Sequence, residues 1–538
     1  MTEEFKVELF LRKSTGLVKE VGPFGSFMLP WASMAGSGIT LYSIAVIYSY
    51  PEGSVPLAFL ILAIPTILSV FAFALMGVVV PRTGGHYVWA TRFVDPFVGW
   101  FGNGWMYFLV QIFSIGLIGS VLTGIIPGIF SIIGGAAGIP ALTSTATALE
   151  TNTFLQGVVV VAVIVILGLV ALIEIKHFIK AVAVIWGLNL LGLLVSVVLF
   201  ASNNPTTVPA AWNNVWGAGS YQTIVSLATK YNLAGYVAST SAGWFNDTLS
   251  IIVYLFWALT GYEINTVISG EVRNPRSSFL YWYTAGMIGT IIWYTFVTWL
   301  AYNTYGSFIL QYSYVYNLFQ AGKLTANETA LVTPYMQLPS MPLFSSSLAG
   351  PPVIRILAAW WFWPVTSIIV TYLCATRCMF GMAFDRMFPA VFGKVNDRTH
   401  TPIEATLFTM IASVVVALVM FTSYGYLESA ANTTFLDAFV YFLICLPAVV
   451  LAYKRHDLWE KGTRRRIFGV PDTTFIGGLA ALGMFWIVTL STIGISLLAW
   501  DVTMLWLVIG VIIFFYYATK NERRGVNITQ IYAEIPPP

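Results

Sequence analysis

Charge is scarce in this sequence. Only 9% of its 538 residues are Asp, Glu, Lys or Arg, against about a quarter in ordinary soluble domains. A net charge of +3 spread this thinly offers no basic face for nucleic acid. Cysteine is nearly absent, and Cys374, Cys378 and Cys445 all fall inside apolar runs, so a disulfide framework is not expected. Cys374 and Cys378 would share a helix face, but a metal pair there lacks further ligands. The four histidines, His86, His177, His400 and His456, stand at the edges of apolar runs. With the histidines at the edges and no carboxylate or thiol to partner Glu263 in mid-run, the sequence argues against an enzyme embedded in the membrane. Nothing repeats at short period, as the ring of a channel filter would require.

What fills the chain instead is apolar: 58% of residues are hydrophobic. About twelve runs are long enough to cross roughly 30 Å of hydrocarbon. They lie at 24–48, 55–80, 97–126, 154–173, 178–201, 248–270, 279–301, 353–377, 403–423, 434–453, 473–499 and 502–519. The third is long enough to tilt or to include an interfacial turn. The expectation is an all-α, multi-pass protein of the cell membrane. Residues 1–22 form an N-terminal segment, 23–519 a single transmembrane domain and 520–538 a C-terminal tail.

The start, MTEEFKVELFLRKSTGLVKE, has mixed charge and no apolar core of a signal peptide. With that end inside, 23 of the 26 Lys and Arg residues fall on predicted cytoplasmic pieces, leaving Lys230, Lys323 and Arg355 outside. The positive-inside rule therefore places both termini in the cytoplasm. Two larger outer segments, 202–247 and 302–352, are expected to form a lid or cover the outer rim. Asn327-Glu328-Thr329 and Asn432-Thr433-Thr434 are glycosylation sequons on that face.

Against this background one stretch stands out: FWALTGYEINTVISGEVRNPRSSF, Phe256 to Phe279. Among the 23 acidic residues, Glu263 is the one placed well inside a run, and an intramembrane carboxylate marks a functional site by default. Gly261 stands two residues before it and lets the backbone leave helical geometry. A second break is expected at Gly36-Ser37-Gly38 in the first run. The two interrupted runs head two blocks of five spans, 24–201 and 248–453, with extra helices over 473–519. An odd number of spans per block turns the second block upside down, and paired discontinuous helices in inverted halves point to a transporter's binding site. Unwinding at Gly36 to Gly38 would free amides for a carboxylate, and unwinding near Thr260 and Gly261 would free carbonyls for an ammonium. A zwitterion suits both. Glu263 then orders the opened segment or takes up a proton.

Four motifs in register resemble the amino acid, polyamine and organocation (APC) superfamily. They are Gly36-Ser37-Gly38-Ile39; Pro81-Arg82-Thr83-Gly84-Gly85-His86-Tyr87 with Asp95-Pro96-Phe97; Gly261-Tyr262-Glu263 with Glu271-Val272-Arg273-Asn274-Pro275; and Arg377 through Asp385-Arg386-Met387-Phe388-Pro389 to Thr401-Pro402. The resemblance implies a LeuT-like 5+5 inverted-repeat fold with discontinuous helices 1 and 6. It also implies a permease that moves amino acids by proton symport or exchange. Gly36, Ser37 and Gly38 would meet the substrate carboxylate, and carbonyls of Ala35, Trp257, Ala258 and Thr260, next to Gly261, would meet its amine. Trp257 would close over the substrate and Glu263 would serve coupling or gating.

Two departures from the family pattern stand out. Thr40 replaces a usual Phe, and Asn189 stands near the position of a fifth-helix lysine that some members use in place of sodium. Thr366 and Ser367 are the candidate hydroxyls for a sodium site, although a proton is the favoured coupling ion. No cofactor, metal or nucleic acid is implied; the partners are an amino acid, the coupling ion and the lipid bilayer. With one acid and no base in mid-membrane, a charged substrate side chain would lack a partner. A neutral, apolar amino acid is expected, with Trp31, Met34, Trp257, Trp360, Trp361 and Trp363 as candidate apolar surface. A polyamine or organic cation carrier, or a sensor built on a transporter fold, is the alternative.

Overall fold

The computed structural model describes residues 17–34, 36–423, 426–492, 495 and 497–536. Among them, ten helices are long and apolar enough to cross a membrane. They match ten of the runs read from the sequence: α3 (Val55–Val79), α5 (Pro96–Ala137), α6 (Thr153–Val170), α7 (Ile175–Ala201), α10 (Pro275–Tyr305), the span Pro352–Phe384, and four more after residue 402. Within the Pro352–Phe384 span the continuous helix is α11 (Trp363–Phe384). The last four are α12 (Ile403–Ser423), α13 (Tyr426–Lys454), α14 (Asp472–Ser491) and α15 (Leu497–Glu522). The two runs that do not appear as continuous spans are the two expected to be interrupted. Residues 24–48 fold as α1 (Pro23–Ser33) and α2 (Gly38–Ser49), and residues 248–270 as α8 (Trp244–Ala258) and the short α9 (Ile264–Val267).

Burial sorts the helices into layers. In α5, 83% of the apolar window is buried, whereas in α6 and α7 the shares are 17% and 28%. The central α5 therefore packs on protein all round. The other two turn side chains such as Phe154, Ile166 and Val198 outward, as lipid-facing helices do. At 42 residues α5 spans about 60 Å, twice the hydrocarbon thickness. It opens with a π-helical stretch, Gly99–Met106, and runs on past the expected end at 126. Segments 202–247 and 302–352, read from the sequence as outer, contain short helices that pack on one another. Trp212 meets Phe308 and Tyr312 at ring separations of 5.0 and 5.5 Å, and Trp216 donates to Ser347 Oγ at 2.8 Å. One expectation on that face is corrected: Asn432 is 5% exposed inside α13, where no glycosyl group can reach it.

The motif residues meet at the opposite end. Val21, just before α1, pairs with Val272: its amide donates to Glu271 O at 3.0 Å and its carbonyl receives Arg273 N at 2.8 Å. The Pro81–Tyr87 loop leads into α4 (Gly85–Phe93) and joins the same assembly. Gly84 N donates to Val267 O at 2.7 Å, and Ser269 Oγ to Arg82 O at 2.7 Å. Two ion pairs seal it. Arg377 on α11 forks onto Glu271 at 3.1 and 3.3 Å, with both side chains 1% exposed. Arg92 on α4 grips Asp385 with two bonds of 2.7 Å. Buried ions hold only as pairs, because removing one partner leaves the other desolvated. Arg377→Met is therefore expected to destabilise the protein by about 3–5 kcal/mol, read as a lower melting temperature in detergent. Arg377→Met combined with Glu271→Leu is expected to recover most of that loss.

Candidate functional site

The first break comes earlier than the glycines. Met34 leaves helical geometry at φ −53°, ψ 135°, and the chain is helical again from Gly36. Ala35 lies outside the described residues. Gly36, Ser37 and Gly38 are thus the first turn of the second half-helix rather than an unwound strand. Their amides lack partners within the helix, and that of Gly36 is taken by a side chain. Glycine is needed there for closeness. A Cβ on Gly36 would stand 2.3 Å from the Trp363 carbonyl carbon, and one on Gly38 would stand 2.3 Å from Ala258 Cα. Ser367 on α11 straps the break: its Oγ accepts Gly36 N–H at 2.9 Å and donates to Met34 O at 2.6 Å.

The second break spans residues 259–263. Leu259 and Thr260 amides turn back onto the carbonyls of Phe256 and Trp257 at 2.8 and 3.3 Å. Gly261 then takes φ +103°, and a Cβ there would lie 2.6 Å from Ser33 O. Only glycine meets both conditions. Trp257 ties the two breaks together, its indole N–H donating to Ser37 Oγ at 2.9 Å. Its carbonyl, expected to be open to an amine, already accepts both the amide and the hydroxyl of Thr260, at 3.3 and 3.0 Å. Ala258, fully buried, instead forms the wall against Gly38.

Glu263 is 1% exposed and held from three sides. Tyr107 donates to Oε1 at 2.8 Å, Gln111 reaches the same oxygen at 3.4 Å, and Tyr441 donates to Oε2. The Tyr441 hydroxyl also accepts Gly261 N–H at 2.7 Å. One phenol thus joins the carboxylate to the hinge glycine.

Glu263 is not the lone acid that the sequence suggested. Asp437, 3% exposed on α13, faces the same small cavity as Glu263, Thr260, Gly261, Ser33 and Trp257. It looks like a span end in the sequence because the apolar run starts at 434. The helix starts at Tyr426, which sets Asp437 about three turns in. A signal for the missed residues was present. Tyr107 and Gln111 on α5, and Asp437 and Tyr441 on α13, are polar pairs at i, i+4 and therefore share one face of an otherwise apolar helix. Of the two candidate sodium hydroxyls, Ser367 reaches the break, whereas Thr366 donates to Trp363 O at 2.8 Å within its own helix. A much larger cavity, about 920 Å³, lies beside the α2 half of the first helix and is lined there by Leu41, Ala45 and Tyr48, with Gln337 and Glu150 opposite.

The profile of the amino acid permease family matches residues 25–526. The chain is 32% identical over 160 residues to the branched-chain amino acid permease BcaP of Bacillus subtilis, covering 29% of this chain and 31% of that protein. It is 24% identical over 433 residues to the vacuolar cationic amino acid transporter 2 of Arabidopsis thaliana, covering 78% of this chain and 58% of that one. A methylthioribose transporter of Bacillus subtilis is 26% identical over 159 residues, 29% of this chain and 32% of that protein. The chain thus spans about a third to three fifths of the length of the relatives it matches.

The close approach at the breaks is testable. Gly261→Ala, forced into left-handed backbone and against Ser33, is expected to cost about 1–3 kcal/mol. Gly289→Ala, on a helix with open space around it, is expected to leave the melting temperature unchanged or slightly raised. Gly36→Leu and Gly261→Leu are expected to insert into membranes yet to bind no ligand, measured by calorimetry on purified protein.

Proposed function

Because the chain belongs to the amino acid permease family, we propose that it is a secondary active transporter carrying amino acids across the cell membrane by alternating access. Its two inverted repeats would be 24–201 and 248–453, with 473–519 added outside them and both termini in the cytoplasm. The observation that carries the proposal is the meeting of two interrupted helices at one point, Ser37 against Trp257 and Gly261 against Ser33, beside a buried carboxylate. The first turn of α2 offers the substrate carboxylate helix-start amides. The segment after Ala258 offers its amine carbonyls. The large cavity beside α2 would be the entry from outside.

The coupling ion is a proton, and Glu263 carries it. As a carboxylate it accepts from three donors, which fits an acceptor-only group. Adding a proton to Oε2 turns that oxygen into a donor aimed at the Tyr441 hydroxyl, which has to turn its own proton elsewhere to accept it. If Tyr441 turns, its hold on Gly261 N–H goes with it, and protonation is transmitted to the hinge of the second broken helix. A sodium role for Ser367 is less well supported, because its hydroxyl already links Met34 O to Gly36 N. Glu263→Gln keeps the shape but cannot titrate. It is expected to lose acid-driven accumulation in proteoliposomes while retaining exchange of internal for external substrate. Unchanged pH dependence in sodium-free buffer would remove Glu263 from coupling.

The substrate side chain is neutral and apolar. The small cavity takes only the head group and no basic side chain lines it, while buried Trp31, Trp257 and Trp363 around the breaks supply apolar surface for the side chain. Within the small cavity one ammonium and one proton offset Asp437 and Glu263, and the substrate carboxylate is left to the helix-start amides of α2. Leucine and phenylalanine are therefore expected to compete for uptake more strongly than arginine or glutamate. Stronger competition by either charged amino acid refutes the assignment.

A further inference from the structure

We propose that Asp437 is the group that receives the α-ammonium of the substrate, an inference that rests on the amino acid transport reading above. Asp437 sits on α13 with 3% of its surface exposed, and its Oδ2 has no hydrogen-bond partner among the described residues. Ser33 Oγ, at the end of α1 and lining the same cavity, is also buried and unpartnered among them. Buried polar atoms are almost always satisfied, so two such acceptors facing one space mark a missing donor. The space is small, of the order of one water molecule or one ammonium group.

The chemistry of the missing donor follows from what surrounds it. No Lys, Arg or His lines the cavity, so the positive charge that Asp437 needs comes from a ligand. Glu263 shares the cavity, but its oxygens are taken by Tyr107, Gln111 and Tyr441. The free acceptors are therefore Asp437 Oδ2 and Ser33 Oγ, beside the opened Thr260–Gly261 backbone. Three N–H donors on a primary ammonium fit such a sparse, uneven set. A metal cation, which needs several oxygens around it, would be left under-coordinated. Asp437 also stands one turn from Tyr441, so a single helix presents the ammonium partner and the phenol that holds Glu263 and Gly261. Ammonium on Asp437 and proton on Glu263 then fill two adjoining places, and each lowers the electrostatic cost of leaving the other acid buried.

The test is calorimetry on purified protein in sodium-free choline buffer, with leucine and its 2-hydroxy analogue, in which a neutral hydroxyl replaces the ammonium. Wild type is expected to prefer leucine by about 30-fold, the scale of a charge-assisted hydrogen bond. Asp437→Asn is expected to abolish that preference while the hydroxy acid binds as before. Asp437→Glu, which keeps the charge should the amide variant not fold, is expected to weaken leucine about fivefold and the hydroxy acid little. Wild-type affinity for leucine in Asp437→Asn, or equal loss of both ligands in Asp437→Glu, overturns the assignment and leaves the transport reading standing. A leucine affinity that requires added sodium, and loses that requirement in Asp437→Asn, makes the site a metal-cation site and also overturns it. No binding of leucine or phenylalanine by the wild type refutes the transport reading itself.

Discussion

Opening a helix inside a bilayer releases backbone groups where no water can take them, and this constraint governs the centre of the molecule. Three of the released groups, Met34 O, Gly36 N–H and Gly261 N–H, are met by side chains from intact helices. Ser367 of α11 bridges Met34 and Gly36, and Tyr441 of α13 takes Gly261 N–H. The broken helices also serve each other through Trp257 and Ser37. Small residues follow from the same need. Gly36 lets α11 close on the first break, and Gly38 and Gly261 let the two broken helices close on each other at Ala258 and Ser33.

The lower end of the broken pair is fastened differently. Val21 and Val272 pair as backbone, Gly84 binds Val267, and the Glu271–Arg377 and Asp385–Arg92 pairs are almost wholly excluded from solvent. Buried ion pairs contribute little net stability over apolar packing, but they are specific: separated, each leaves two charges that find no substitute partner. An assembly held this way has few intermediate positions. It is either docked or parted far enough for water to enter, which suits an element that must occupy two discrete arrangements.

How much of this is legible in the sequence depends on the kind of signal. Apolar length located the spans, and glycine in mid-run marked both helices that are broken. The exact place of the first break was not legible, because a helix start and an unwound strand both expose amides and both favour glycine; Met34 carries the break while Gly36 to Gly38 are helical. Asp437 was hidden by averaging. Asn432, Thr433 and Thr434 lower the apolar signal just before it, although all three are buried within α13. Hydropathy reads polarity as exposure, and at a functional site that equation fails. The motifs named Glu271, Arg377 and Asp385 without saying how they pair; that Arg377 takes Glu271 is decided by the packing of α11 against the segment after α9.

The arrangement of donors around Glu263 also indicates which parts stay fixed. Tyr107 and Gln111 come from α5, the most deeply packed span, and Tyr441 and Asp437 come from α13. Neither helix is interrupted at these residues. The carboxylate itself stands at the rim of a break, on the short stretch between Gly261 and α9. A rigid frame thus grips the movable element through a side chain whose hydrogen-bonding capacity changes with one proton. Had Glu263 stood on α5 and the tyrosines on α9, the same bonds would form, but a proton would change nothing in the backbone. Because Tyr441 spends its second contact on Gly261 N–H, the state of the acid and the geometry of the hinge are read by one hydroxyl.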